Sequence, residues 1–119
     1  MLKESKGVTM LYKVKAKINE TTLKDFFLAL NDGSVETQKP DGRYIVKAMR
    51  EAVMLDEKTI EWYEGCYCET ALKHERETVY DKYLTDFETQ MVCDIKDDLK
   101  GTSFWEYMEE IYQKDSESA

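Results

Sequence analysis

The stretch Thr59–Cys68, TIEWYEGCYC, decides the fold class of this chain. Its aromatic and β-branched residues are typical of a strand. A short polar break, Asp56-Glu57-Lys58, separates it from residues 51–55, EAVML, which end in a second strand-like run. Two such runs joined by so short a polar segment predict a β-hairpin. We therefore expect a sheet built around this hairpin.

A further strand is predicted ahead of the hairpin. Residues 11–18, LYKVKAKI, alternate between apolar and basic side chains, and a period of two indicates a strand with one buried face. The apolar face carries Tyr12, Val14, Ala16 and Ile18, and the opposite face carries Lys13, Lys15 and Lys17.

Other segments predict helices and one more strand. Residues 22–33 begin with a Thr-x-x-Asp variant of the capping box, keep helical apolar spacing, and end at Asn-Asp-Gly. Residues 40–50 fit a helix or a strand, and we favour a short helix. Residues 71–86 have helical periodicity, 88–94 fit a strand, and the capping box at Ser103-x-x-Glu106 opens a last amphipathic helix.

This order, β-α-(α)-β-β-α-β-α, predicts an α+β fold of ferredoxin-like type: a split βαβ unit plus βαβ, with a C-terminal helix. We expect one domain over residues 10–112, with flexible tails at 1–9 and 113–119, and Met10 is an alternative start. The sheet face with Lys13, Lys15, Lys17, Tyr63 and Tyr67 is too aromatic to face only water. A homodimer of the dimeric α/β-barrel type, or the C-terminal helix, is expected to cover it.

Composition excludes several classes of protein. The 119 residues carry a net charge of −8, which argues against a nucleic-acid partner. No apolar run is long enough for a membrane span. With 3 cysteines and 1 histidine, neither a disulfide scaffold nor a histidine-rich metal site is expected. P-loop, dinucleotide-binding and Gly-x-Ser-x-Gly motifs are absent, and neither a cofactor nor a metal is expected. The odd number of cysteines, read as reduced thiols, and the lack of a signal-peptide pattern predict a cytoplasmic protein.

Residues 61–81 read EWYEGCYCETALKHERETVYD. This stretch resembles a group of small uncharacterised bacterial proteins with the signature E-W-x-E-x-C-Y-C followed by H-E-R-x-T-V-Y-D. QKPDG at 38–42 and MLYKV at 10–14 fit the same group. The resemblance covers about residues 10–112 and implies no activity.

The candidate site lies on the hairpin and the following helix. Strand alternation places Glu64 on the same buried face as Trp62, and α-helical phase places Arg76 at the centre of an apolar stripe. Because unpaired buried charges are costly, we predict that Glu64 and Arg76 form an ion pair. It would be a structural salt bridge or the polar floor of a ligand pocket. The pocket residues would be Trp62, Glu64, Arg76, Tyr80 and Tyr83.

Two further readings concern the thiols and the function. Cys66 and Cys68, with His74 and Cys93, suggest a metal or reactive-thiol site. The simpler interpretation is that Cys66 and Cys68 are buried, reduced residues and that His74 lies at the surface. The favoured function is a non-enzymatic dimeric module that binds a small organic ligand or a partner in an aromatic-lined pocket. The alternatives are a small cofactor-independent enzyme, with Glu64 as base and Arg76 as anion anchor, and a thiol or metal sensor at Cys66 and Cys68.

Overall fold

The computed structural model describes residues 10–38, 42–66, 75–96 and 98–118. Its strands are β1 (Met10–Ile18), β2 (Val53–Met54), β3 (Thr59–Cys66), β4 (Leu84–Val92) and β5 (Thr102–Ser103). Its helices are α1 (Leu23–Asn31), α2 (Gly42–Glu51), a π-helix (Arg76–Tyr80) that continues into α3 (Asp81–Tyr83), and α4 (Phe104–Ser118). The predicted α+β class is confirmed.

All five strands form one antiparallel sheet in the order β4-β1-β3-β2-β5. The predicted hairpin is formed, because Val53 pairs with Glu61 and the Leu55 amide donates to the Thr59 carbonyl at 2.8 Å. β1 lies between β3 and β4, so Lys15 stands opposite Glu61 on one side and Glu88 on the other. The register with β3 positions Trp62 and Glu64 of the candidate site.

The core lies on the inner face of the sheet, where the alternation of β1 predicts it. Val14 is 0% exposed and Ala16 is 1% exposed, whereas Lys17 on the opposite face is exposed. Trp62, Phe104 and Met108 are also completely buried. Burial of these side chains is the main force that stabilises the sheet against its helices.

The C-terminal helix α4 packs against α1 and α2, on the inner face of the sheet. It therefore does not cover the lysine- and tyrosine-bearing outer face, and that alternative of our prediction is wrong. The reason is its apolar stripe, which contributes Phe104 and Met108 to the core. The predicted cap holds, since the Glu106 amide donates to Ser103 Oγ at 3.2 Å.

Two predicted details of the helices and strands are wrong. Thr22 does not cap α1 with its side chain, because its hydroxyl donates to the Tyr83 carbonyl at 3.0 Å. The helix predicted for 71–86 ends at Tyr83, and β4 begins at Leu84, four residues earlier than predicted. β4 pairs with β1 there through a β-bulge, at which Asp86 has a φ of 55°.

Within the described ranges, no helix combines the length and the apolar composition needed to cross a bilayer.

Candidate functional site

Strand β3 places the candidate carboxylate inside the protein. Glu64 pairs with Tyr12 and Trp62 pairs with Val14, so both side chains point to the inner face. Glu64 is 5% exposed and Trp62 is 0% exposed. The burial that alternation predicts for Glu64 is therefore confirmed.

Among the described residues, two side chains donate hydrogen bonds to the carboxylate of Glu64. The indole Nε1–H of Trp62 donates to Glu64 Oε1 at 2.7 Å, and the hydroxyl of Tyr80 donates to the same oxygen at 2.6 Å. Tyr80 is 0% exposed, and Glu64 Oε2 is also buried. Because a buried carboxylate is stable only with such donors, Trp62, Glu64 and Tyr80 form a polar network, which we call the Glu64 network.

Arg76 is not a member of the Glu64 network, so the predicted ion pair with Glu64 is wrong. Among the described residues, the guanidinium of Arg76 pairs with Asp81, at 2.9 Å from Nε to Oδ1. It also lies 4.6 Å from the ring centroid of Phe87. The side chain of Arg76 is 41% exposed, so this pair lies at the surface.

The π-helix explains the error. In an α-helix, residues at i, i+3 and i+4 share a face, which would put Arg76 with Val79 and Tyr80. The wider i→i+5 turn of Arg76–Tyr80 instead groups Glu75 with Val79 and Tyr80. Glu75 is accordingly 1% exposed.

Glu75 is the buried charged residue that the sequence analysis missed. It lies in the polar run Lys73-His74-Glu75-Arg76-Glu77, where α-helical phase places Arg76 nearer than Glu75 to the centre of the apolar stripe. The phase of the π-helix instead turns Glu75 inward. Glu75 precedes the π-helix that carries Tyr80, and the hydrogen bond of Tyr80 to Glu64 joins this helix to β3.

Replacing Arg76 by Met is expected to reduce the free energy of unfolding by about 1 kcal/mol. The exposed pair with Asp81 and the contact with Phe87 are the interactions lost. Urea unfolding measures this, with Lys47→Met as the matched control, because Lys47 also forms an exposed pair, with Glu51 at 3.2 Å. A loss above about 3 kcal/mol in Arg76→Met alone would point to a buried ionic partner.

The predicted pocket aromatics pack on one another. Trp62 lies 5.3 Å from Tyr80 and 6.3 Å from Phe87, and Tyr80 lies 5.9 Å from Phe87, between ring centroids. Tyr83 lies elsewhere, stacked on Phe26 of α1 at 4.7 Å. Burial raises the pKa of the Tyr83 phenol, with Asp25 and Asp32 as further causes. The structure therefore joins Trp62, Glu64 and Tyr80 but separates Arg76 and Tyr83 from them.

The thiol candidates are only partly described. The side chain of Cys66, and the whole of Tyr67, Cys68 and His74, lie outside the described residues. Cys93 follows β4 as a free, exposed thiol. In the described part of the chain, no three His, Cys, Asp or Glu residues form a group able to hold a metal ion.

Two residues on the outer face of the sheet, Lys13 and Tyr63, form hydrogen bonds with a loop residue. Asp98, in the connection between β4 and β5, accepts a hydrogen bond from the Tyr63 hydroxyl at 2.7 Å and one from Lys13 Nζ at 3.0 Å. Lys13 Nζ also lies 5.7 Å from the Tyr63 ring centroid. This connection, rather than α4, lies against Lys13 and Tyr63.

These hydrogen bonds shift the pKa values of all three groups, each in the direction that favours the protonation state in which the bonds form. The Tyr63 hydroxyl, and then Lys13, lower the pKa of Asp98 below its ordinary 3.8. The bond to Asp98 raises the pKa of Tyr63 above 10.0 and that of Lys13 above 10.5. The stabilisation from Asp98 is present above pH 3.8 and is lost as the pH falls through the lowered value. The stabilisation from Tyr63 and Lys13 is present below their ordinary values and is lost as the pH rises through the raised ones.

Asp98→Asn is expected to return the pKa of the Tyr63 phenol towards 10.0. The charge that opposes phenolate formation is then absent, so the phenol ionises at lower pH. Ultraviolet or NMR titration of the tyrosines measures the shift. Asp94→Asn, an exposed position in the same connection, is the control and should leave Tyr63 unchanged. Equal titration of Tyr63 in the parent and Asp98→Asn would contradict the contact.

No protein-family model matches the chain, and no match is found among curated proteins or solved structures.

Proposed function

We propose that this chain is a non-enzymatic module that binds a protein partner, acting as a homodimer in the cytoplasm. The observation that carries the proposal is the burial of Glu64, which is the strongest candidate for a catalytic residue. Glu64 is 5% exposed, and its hydrogen-bond donors Trp62 and Tyr80 are both 0% exposed. A general base must come within hydrogen-bond reach of its substrate, and Glu64 instead contacts donors of its own chain.

The contacts of Arg76, the expected anion anchor, also argue against the enzymatic alternative. An anion anchor beside Glu64 requires a cation, but Arg76 contacts Asp81 and Phe87 at the surface. Trp62 and Tyr80, which both donate to Glu64, pack their rings against each other and against Phe87. Mutual ring packing of this kind supports a core role and favours a partner bound at the surface over a small ligand bound beside Glu64.

The finer fold assignment is part of the proposal. The order β4-β1-β3-β2, with every neighbouring pair antiparallel, is what a ferredoxin-like split βαβ arrangement produces. A second copy on the outer face would complete the dimer. Lys15 lies between Glu61 and Glu88 on that face, and such alternating charges complement themselves about a two-fold axis. The exposed thiol of Cys93 suits a reducing compartment.

Panning a library of random short peptides against the folded chain tests the binding function. We expect enriched peptides that bind the parent and Tyr80→Phe equally, because the Glu64 network is not the binding surface. Native mass spectrometry of the purified chain should show the polypeptide without a small-molecule adduct. Failure to enrich any peptide, together with an adduct that Glu64→Gln loses while remaining folded, would overturn the proposal.

Sedimentation at tens of micromolar tests the dimer separately. A two-fold assembly should dissociate in Lys15→Glu, which places three acidic side chains in one row of the outer face. Lys47→Glu, on the exposed side of α2, is the matched control for net charge. A parent chain that sediments as a monomer would remove the dimer from the proposal and leave partner binding to the panning result.

A further inference from the structure

Strand β4 is the last strand of the described sheet on its side, with only β1 beside it. In an antiparallel ladder, every second residue of an edge strand directs its N–H and C=O groups away from the sheet. The side chains of Glu88, Thr89, Gln90 and Met91 are all exposed. No strand of the described ranges pairs with this edge of β4, which thus presents an open row of hydrogen-bonding groups to them.

β4 has few of the features that protect natural edge strands. Such strands are commonly very short, or carry Lys or Pro, or are twisted by a bulge. β4 has 9 residues, LTDFETQMV, without Lys or Pro. Its bulge lies at Asp86, and the register with β1 is regular from Glu88 to Val92. The second half of β4 is therefore able to pair with another strand.

The outer face of the sheet indicates the charge of that strand. One row across the sheet runs Glu61, Lys15, Glu88, with alternating sign. The next position in the row lies about 4.8 Å beyond β4. A basic side chain there would face Glu88 and continue the alternation, and opposite charges in directly facing positions stabilise a sheet.

The inner face of the sheet indicates that the other residues of the added strand, those between its basic ones, are apolar. Met91 pairs with buried Tyr12, yet Met91 itself is 57% exposed. An apolar side chain on an added strand would cover it. Glu88 and Met91 lie on opposite faces, so the added strand needs basic residues on one face and apolar residues on the other.

We propose that the free edge of β4 binds an extended, basic segment of a partner protein, which adds a strand with alternating basic and apolar residues. The inference rests on the proposed function and names the class of partner. β1 itself has this pattern and already pairs with β4 on its other side, with Lys15 opposite Glu88. The net charge of −8 favours the approach of a basic segment.

A second copy of this chain does not satisfy the same requirement. β4 contains no Lys or Arg, so an antiparallel β4–β4 pair cannot supply a cation to Glu88 in any register. The outer-face residues available opposite Glu88 would be acidic, amide or apolar. A face-to-face dimer through the outer face leaves the β4 edge open for the basic segment.

The probe is a labelled, terminally blocked peptide that copies residues 11–18, LYKVKAKI. Fluorescence anisotropy should show saturable binding to the parent chain. The same peptide with Glu in place of each Lys should bind at least about tenfold more weakly. Backbone pairing is tested by two N-methylated forms, methylated at the Lys residues or at the residues between them. Only one set of amides can face β4, so one form should bind and the other should not.

Variants of Glu88 locate the peptide on the chain. Glu88→Gln is expected to weaken the lysine peptide about fivefold, and Glu88→Lys should reverse the preference in favour of the glutamate peptide. Glu57→Gln, at an exposed position in the β2–β3 turn, is the matched control and should bind as the parent does. Hydrogen exchange should slow at alternate amides of 88–92 when the lysine peptide is bound.

Equal binding of both N-methylated forms, or equal effects of Glu88→Gln and Glu57→Gln, would overturn the β4 site. So would absence of binding by the lysine peptide. If panning still enriches peptides in that case, the module binds partners elsewhere and the proposed function stands. If panning enriches nothing and a Glu64-dependent adduct is found, the proposed function fails as well.

Discussion

Removing the two donors that the described residues supply to Glu64, in the double variant Trp62→Phe/Tyr80→Phe, is expected to lower the free energy of unfolding by about 4 kcal/mol. Both donors bond to Glu64 Oε1, at 2.7 and 2.6 Å, and the replacements keep an aromatic ring at each position. The loss comes chiefly from a buried carboxylate without its donors. Tyr80→Phe alone should lose about 2 kcal/mol. Urea unfolding measures each value.

A matched control and a rescue distinguish this cause from altered packing. Tyr83→Phe removes a phenol hydroxyl with no hydrogen bond to the described residues, and should change stability by less than about 0.5 kcal/mol. Adding Glu64→Leu to the double variant should restore much of the loss, because no carboxylate then remains to be solvated. If Tyr80→Phe loses no more than Tyr83→Phe, the Glu64 network does not stabilise the fold.

Gly101→Ala is expected to lower the free energy of unfolding by about 3 kcal/mol. Gly101 has a φ of 143°, which L side chains rarely adopt. A Cβ at this position would also collide with the carbonyl group of Met54. Met54 pairs with Thr102, so relief of the collision would separate β5 from β2.

Gly33→Ala separates the two causes of the Gly101 effect. Gly33 also has a positive φ, of 92°, but a Cβ there would meet no atom within 4 Å. Its substitution should therefore lose only the conformational part, about 1 kcal/mol. Both values follow from urea unfolding. Equal losses for Gly33→Ala and Gly101→Ala would show that the approach of Met54 is not costly.

Strand β1 and the β2–β3 hairpin were the features that the sequence predicted best. The alternation in β1 predicts which of its residues are buried, and Val14 and Ala16 are at 0% and 1% exposure. The polar break at 56–58 predicts the β2–β3 hairpin. These predictions succeed because a strand has a fixed period of two, so one exposed or buried residue assigns all the others.

Only part of the candidate site could be predicted from the sequence. Strand alternation predicts the burial of Glu64, and the structure confirms it. The donors to Glu64 come from Trp62, two residues away, and Tyr80, on another element. Arg76 was assigned to the site because α-helical spacing was assumed, whereas the π-helix turns Glu75 inward.

By itself, the sequence determines strand β1, the β2–β3 hairpin, the inner face of these strands and the burial of Glu64, because each follows from periodicity over a few neighbouring residues. Only the tertiary structure decides the π-helix phase, the bulge at Asp86 and the contact of Asp98 with Lys13. The first two depend on how a helix and an edge strand fit against β1 and β3. The third joins residues 85 positions apart, a separation over which no local pattern specifies which side chains meet.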